Sequence, residues 1–476
     1  MILPRWILRF PLTRLAALLC ATAILGCVRF HSKPIDPAAS LSALDSRTLA
    51  DTSLANFLRA NHASPTWPPE HWDLRALTLV AFYYHPDLDI ARSNWAAARA
   101  AVRSARALAN PGITAAPGYN STTPVDEITP WILSLDLDFT MVTAGKRRYQ
   151  TAQARGLSEA ARLDIASTAW RVQGALRRSL VDLYAAQQLA GVRTRQQEIL
   201  ARNIALFERQ FAAGAISQFE LTQARLMAST SRLALLEAQR QQGEARVALA
   251  ASMGVTVRAL DGITLDFSLF DEVLPLPPGA EARRLALVNR ADILGALSQY
   301  AASQSALQLE VARQYPDIHL GPGYQMDQDN NKWTLGFSGV LPVLNRNRGP
   351  IAEAEARRAA AAANFALVQG RAIEQVDGAL AAYASAQAQA ATADTMYADQ
   401  LRLERTADTQ FAAGDISRLE LGSIQLELAS AEMARLDARV NLQRARGRLE
   451  EAMQSPASLA DWLSIGPSRT PPAVKH

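Results

Sequence analysis

Side chains able to bind a metal or attack a substrate are few and scattered in this chain. The six histidines (His31, His62, His71, His85, His319 and His476) show no metal-ligand spacing. There is no His-Glu-x-x-His, no Gly-rich phosphate loop and no Gly-x-Ser-x-Gly. The residues thus argue against an enzyme and against a resident metal, and His85 and His319 read as loop and strand residues rather than ligands. One pair of acids stands out, Asp136 and Asp138, two residues apart in an alternating segment. In a strand that spacing puts both carboxylates on one face.

The remaining reactive group is a thiol. A positive stretch with Arg5, Arg9 and Arg14 precedes an apolar run from Leu15 to Leu25 and then Gly26-Cys27, the pattern of a secretion signal covering 1–26. Ile24-Leu25-Gly26-Cys27 resembles the lipobox of bacterial lipoproteins, which implies a covalent lipid on Cys27. Residue 28 is Val rather than Asp, which by resemblance to bacterial sorting rules favours the outer membrane. The other cysteine, Cys20, lies in the signal, so no internal disulfide is expected.

Those elements hang on a duplicated, helix-rich scaffold. The chain has 476 residues, 49% of them hydrophobic, which excludes disorder. Its 49 Lys and Arg face 45 Asp and Glu, and three of the cations sit in the signal, so 46 against 45 remain. Nothing supports a nucleic-acid surface. Gln210-Phe211-Ala212-Ala213-Gly214-Ala215-Ile216-Ser217 returns as Gln410-Phe411-Ala412-Ala413-Gly414-Asp415-Ile416-Ser417, and Trp131 to Ala154 matches Trp333 to Ala356. Two repeats are expected, at 71–254 and 280–454, with long helices at about 145–212 and 350–412. Those stretches lack proline and are rich in strong helix formers. Helices of that length need coiled-coil partners, and Phe219, Leu226 and Leu233, like Leu419, Leu426, Met433 and Val440, are seven apart.

The repeated turn reads as a helical hairpin. Gly214 or Gly414 can adopt the left-handed conformation that stops one helix. Ser217 or Ser417 then caps the next, with Glu220 or Glu420 completing a capping box and Ile216 or Ile416 supplying a hydrophobic staple to Leu221 or Leu421.

Between the helices lie strands at about 113–120, 131–140, 318–325 and 333–341. In the second of these Trp131, Leu133, Leu135, Leu137 and Phe139 share one face, opposite Asp136 and Asp138. In the fourth, Trp333, Leu335, Phe337 and Leu341 take the apolar face. Strands apolar outside and polar inside are the mark of a membrane β-barrel. Four strands cannot close one, and open edges are not tolerated in lipid, so a barrel shared between copies is expected.

At this point the chain resembles the TolC-like outer-membrane efflux factors over nearly its whole length after residue 26, through its two repeats and the Phe-Ala-Ala-Gly-Asp-Ile-Ser turn followed by Leu-Glu-Leu. The resemblance implies a mainly α fold with a transmembrane β part, and a homotrimer forming a 12-stranded β-barrel continuous with a 12-helix periplasmic α-barrel. The function it implies is that of the outer-membrane channel of a tripartite efflux pump. The channel would be a passive exit duct, working with a periplasmic adaptor (membrane fusion) protein and an inner-membrane transporter, without a cofactor. Residues 27–70 would be a lipid-anchored segment and part of an equatorial collar, 255–279 an equatorial linker and 455–476 a tail. Gly214, Ile216, Ser217, Gly414, Ile416 and Ser417 carry over as adaptor-docking tips. Many family members carry an Asp about nine residues after the tip glycine. Here Gln223 and Ser423 stand there, which leaves Asp415 and Glu420 as candidates for a gate. A periplasmic coiled-coil scaffold or adaptor without a pore would explain the helices and the lipid but not four alternating strands.

Overall fold

The computed structural model describes residues 30–61, 67–122, 128–271, 278–328 and 330–454. It divides into a unit through Arg47 and a unit from Thr48 onward. In the first, α1 (Pro37–Asp45) starts at Asp36, whose carboxylate accepts the Ala38 N–H at 2.9 Å. Cys27 and the leader lie outside the described residues, as does the tail from 455.

In the second unit the repeats are plain. After α2 (Thr52–Ala60), repeat one contains α3 (Leu74–Tyr84), α4 (Pro86–Arg106), β1 (Gly112–Tyr119), β2 (Trp131–Met141), α5 (Lys146–Ala212) and α6 (Gln218–Met253). Repeat two contains α7 (Gly279–Asn289), α8 (Ala291–Ala312), β3 (Ile318–Asp327), β4 (Asn330–Ser338), α9 (Arg348–Ala413) and α10 (Arg418–Met453). The 67-residue α5 and 66-residue α9 each extend about 100 Å. Among the described residues no helix is long and apolar enough to cross a membrane.

Each long helix begins on a left-handed residue, Gly145 in one repeat and Asn347 in the other, which turns the chain sharply out of the preceding strand. Small residues then bring helices close. A Cβ on Gly156 of α5 would stand 2.9 Å from the Ala302 Cβ of α8.

Two apolar cores anchor the helix pairs. One gathers Leu54, Leu77, Val80, Trp170, Leu176, Leu249 and Phe270, and the other is built on Ala282, Val376, Tyr383, Leu442 and Leu449. The segment before α3 meets the one after α6 through backbone bonds: Trp72 N–H donates to Thr264 O at 2.9 Å, and Asp266 N–H to Trp72 O at 3.0 Å.

The repeats are sewn together along α5 and α10 by antiparallel ion pairs. These are Arg177–Glu450, Arg178–Glu451 at 2.9 Å, Asp182–Arg444 at 2.7 Å and Arg195–Glu432 at 2.6 Å. Two glycines make room for the first two of these pairs, since a Cβ on Gly174 would strike Glu451 and one on Gly447 would stand 3.0 Å from Arg177 Cδ.

Three expectations shift in detail. β4 starts at Asn330 and ends at Ser338, so Leu341 is not a strand residue. Gly339, where a Cβ would stand 3.1 Å from the Asp317 carbonyl oxygen, and Pro342, which lacks an N–H, account for the stop. Gly279 opens α7 rather than belonging to a linker. The heptad Phe219, Leu226 and Leu233 does not pack within the chain, being 75%, 66% and 68% exposed. The buried side of α6 is instead Leu221, Ala228, Ser231, Ala238 and Leu249, offset by two residues and built mainly of small side chains.

Candidate functional sites: a two-faced sheet and two capped tips

The four strands form one antiparallel sheet in the order β1-β2-β3-β4, so both repeats share it and β1 and β4 are its edges. Registers such as Leu135↔Ala115, Leu135↔Tyr324 and Tyr324↔Trp333 align the apolar positions across all four strands. Trp131, Leu133, Leu135, Leu137 and Phe139 therefore share a face with Trp333, Leu335 and Phe337. Most of these are exposed, Trp333 at 82%. At the hairpin end of both repeats a tyrosine meets a tryptophan, Tyr119–Trp131 at 5.2 Å and Tyr324–Trp333 at 4.9 Å between ring centroids. The second pair stands opposite Leu135, four residues along β2 from Trp131, and aromatic side chains on such an apolar face suit a membrane interface.

The other face is polar and glycine-rich. Gly112, Gly321, Gly323 and Gly336 lie on it beside Asp136 and Asp138. A Cβ on Gly323 would fall 2.2 Å from Asp136 Oδ1 and 2.7 Å from Thr334 Oγ1, so that glycine exists as a seat for the carboxylate. Asp138 is held differently: His319 Nδ1 on β3 lies 3.1 Å from each of its oxygens and 3.4 Å from Thr140 Oγ1. Sequence reasoning placed His319 on a strand but missed this partner. The alternation of β3 carried half the signal; the pairing of β2 with β3 across the repeats carried the rest. Below the sheet Lys146 Nζ donates to Asp317 at 2.8 Å and to the Tyr315 carbonyl at 2.6 Å, tying the head of α5 to the approach to β3.

The tips have the geometry their residues predict. Gly214 and Gly414 sit at φ 72° and 85°. Gly214 N–H donates to Phe211 O and Ala215 N–H to Gln210 O, and Gly414 and Asp415 repeat both bonds in the second copy. This is the Schellman pattern, which satisfies the last carbonyls of a helix. Ser217 and Ser417 then cap α6 and α10 with complete capping boxes. Each glutamate accepts the serine N–H at 2.7 Å. That backbone bond first, then the serine hydroxyl, holds the carboxyls of Glu220 and Glu420 below the ordinary carboxylate range. Glu420 is thus committed to its helix, whereas the Asp415 side chain is exposed. Ile216 and Ile416 are half-buried, with Leu221 and Leu421 buried beneath the turns. The two tips differ beyond the motif: Arg418 stacks 4.4 Å above the Phe411 ring, while in repeat one Arg225 bridges to Glu208 at 2.7 Å. Among the described residues no group of three His, Cys, Asp or Glu side chains could hold a metal ion.

Comparisons with known proteins agree with this architecture. The family described as outer membrane efflux protein matches residues 81–255 and 282–454, the two repeats. A curated relative, the cobalt-zinc-cadmium resistance protein CzcC of Cupriavidus metallidurans, is 27% identical over 207 residues, 43% of this chain and 49% of that protein. The match thus spans about half the length of that relative. Among solved structures, the outer-membrane channel OprN superposes with a TM-score of 0.69 at 20% identity, covering 90% of this chain and 99% of that one. The CmeC outer membrane channel of Campylobacter jejuni gives 0.66 at 15% identity, covering 92% and 97%. At those identities the structures speak for the fold.

Proposed function

Because the chain belongs to the outer membrane efflux protein family, we propose that it is the outer-membrane channel of a tripartite efflux pump, a passive exit duct assembled from three copies. The observation that carries this reading is the sheet, which among the described residues has four strands, two unpaired edges and one exposed apolar face. In lipid such a sheet must close. Three copies supply twelve strands, within the even-numbered range of outer-membrane barrels. The long helices running from the sheet then form the periplasmic tube, and the stripe Phe219, Leu226 and Leu233 finds its cover on a neighbouring copy.

In this reading the lumen is lined by Asp136 and Asp138, and Trp131, Leu133, Leu135, Leu137, Phe139, Trp333, Leu335 and Phe337 face lipid. The tips at Gly214, Ile216, Ser217, Gly414, Ile416 and Ser417 receive a periplasmic adaptor, whose partner in the inner membrane supplies the energy. Asp415 is the remaining gate candidate, since Glu420 serves its capping box. A lipid on Cys27 anchors the chain to the outer membrane after removal of the leader. Transport through the tube requires no chemistry and no cofactor of this chain. The acidic belt suits a cationic cargo, and cobalt, zinc and cadmium, for which the relative is named, are the first to try.

A cysteine scan of the sheet edges tests the assembly. Within one chain β1 and β4 are separated by two strands, a gap of about 14 Å at ~4.8 Å per strand, too wide for a disulfide. The native cysteines are only Cys20 and Cys27. Pairs placed within 112–119 and 330–338 should therefore link copies into covalent dimers and trimers. A scan with no inter-chain link at any register contradicts the shared barrel.

A further inference from the structure

We infer that His319 sets the ion preference of the duct as a function of pH, by cancelling one of the two lumen carboxylates when it is protonated. The inference rests on the duct reading above. His319 and Asp138 meet on the polar face with Nδ1 3.1 Å from both carboxylate oxygens, and both side chains remain open to solvent, at 37% and 53% exposure. A histidine held by a carboxylate through one ring nitrogen accepts its second proton on the other nitrogen without losing that contact. Histidine is also the side chain that changes charge between about pH 5 and 8.

The surroundings leave this pair in control of the local charge. β1 brings only Gly112, Thr114, Ala116 and Gly118 to the face. On β2 the other charge is Asp136, seated over Gly323. On β4 the charged group is Lys332, which is bonded to Asp327 of β3 at 2.5 Å and so is neutral as a pair. Beyond the start of β3, Asp317 is matched by Lys146 at 2.8 Å. Among the described residues of this face the unbalanced charge per chain is therefore −2 from Asp136 and Asp138 with His319 neutral, and −1 with His319 protonated. Every copy in the assembly adds the same change to one ring. Because rings of charge govern pore selectivity, halving the ring lowers the preference for cations.

The test is reversal potential across planar bilayers in a salt gradient at pH 8 and pH 5.5, for the full-length wild-type protein, His319→Gln and Asp136→Asn. Glutamine keeps a side-chain amide that can bond Asp138 but does not titrate. The wild type should lose about half of its cation-over-anion preference on acidification. H319Q should show the same preference at both pH values, whereas D136N should start lower and still fall with acid. A wild type insensitive to pH, or an H319Q variant that retains the full pH response, overturns the inference and leaves the duct intact. Absence of pores in all three folded oligomers overturns the duct reading itself.

Discussion

The capped tips tie local chemistry most directly to form. Each serine satisfies one orphan N–H of its helix, so S217A or S417A should cost about 1 kcal/mol at that tip. Amide exchange of Glu220 or Glu420, whose N–H donates to the serine hydroxyl at 3.2 Å, should quicken about fivefold in the corresponding variant. The same boxes weaken with acid. The glutamates' folded values are depressed, so their contribution is complete above the unfolded carboxylate value and is lost as pH falls through the folded one. Exchange at both helix starts should therefore quicken between about pH 4.5 and more acid values, relative to helix centres, and equal protection across that range would contradict it. The turn motif was legible in the sequence because every interaction in it spans five residues or fewer, whereas the longer contacts of Arg418 with Phe411 and Arg225 with Glu208 were not. The contact between His319 and Asp138 was not, because it joins residues 181 apart through a strand register that alternation alone does not fix.

At the scale of elements, the helix lengths and the positions of β1, β2 and β3 followed from proline placement and alternation, and the match between repeats confirmed both. What periodicity did not reveal was which stripe of α6 packs inward. The large residues Phe219, Leu226 and Leu233 advertise a seam, yet small residues such as Ala228 and Ala238 make the one within the chain, because they let helix backbones approach. The seam between the repeats is electrostatic at its core. Arg177 is buried, with Glu450 as its ionic partner, and Arg446 shares that carboxylate at 3.0 Å. Replacing Glu450 with Gln leaves a buried guanidinium charge uncompensated, a loss of about 3–5 kcal/mol. Thermal unfolding should show a markedly lower midpoint for E450Q. By contrast E237Q, at an exposed pair within α6, should leave the midpoint almost unchanged. Equal midpoints for the two variants would remove Arg177–Glu450 from the account of how the repeats are held.

For the whole molecule, two features that the described residues of a single chain leave unfinished point the same way: the sheet has unpaired edges and α6 has an uncovered apolar stripe. Substituting Phe219, Leu226 and Leu233 together with serine should preserve the helical content of the chain while shifting the detergent-extracted protein from the proposed trimer to smaller species, as read by sedimentation. Trimers of unchanged stability would mean that the stripe faces something other than a neighbouring copy. Closure of the sheet has a functional consequence that can be read directly, by single-channel recording of the detergent-extracted protein in planar bilayers beside a D136N/D138N double variant. The account predicts discrete, stable conductance steps with a preference for cations that the double variant lacks. A folded oligomer that yields no steps, or a variant whose ion preference equals that of the wild type, would contradict it.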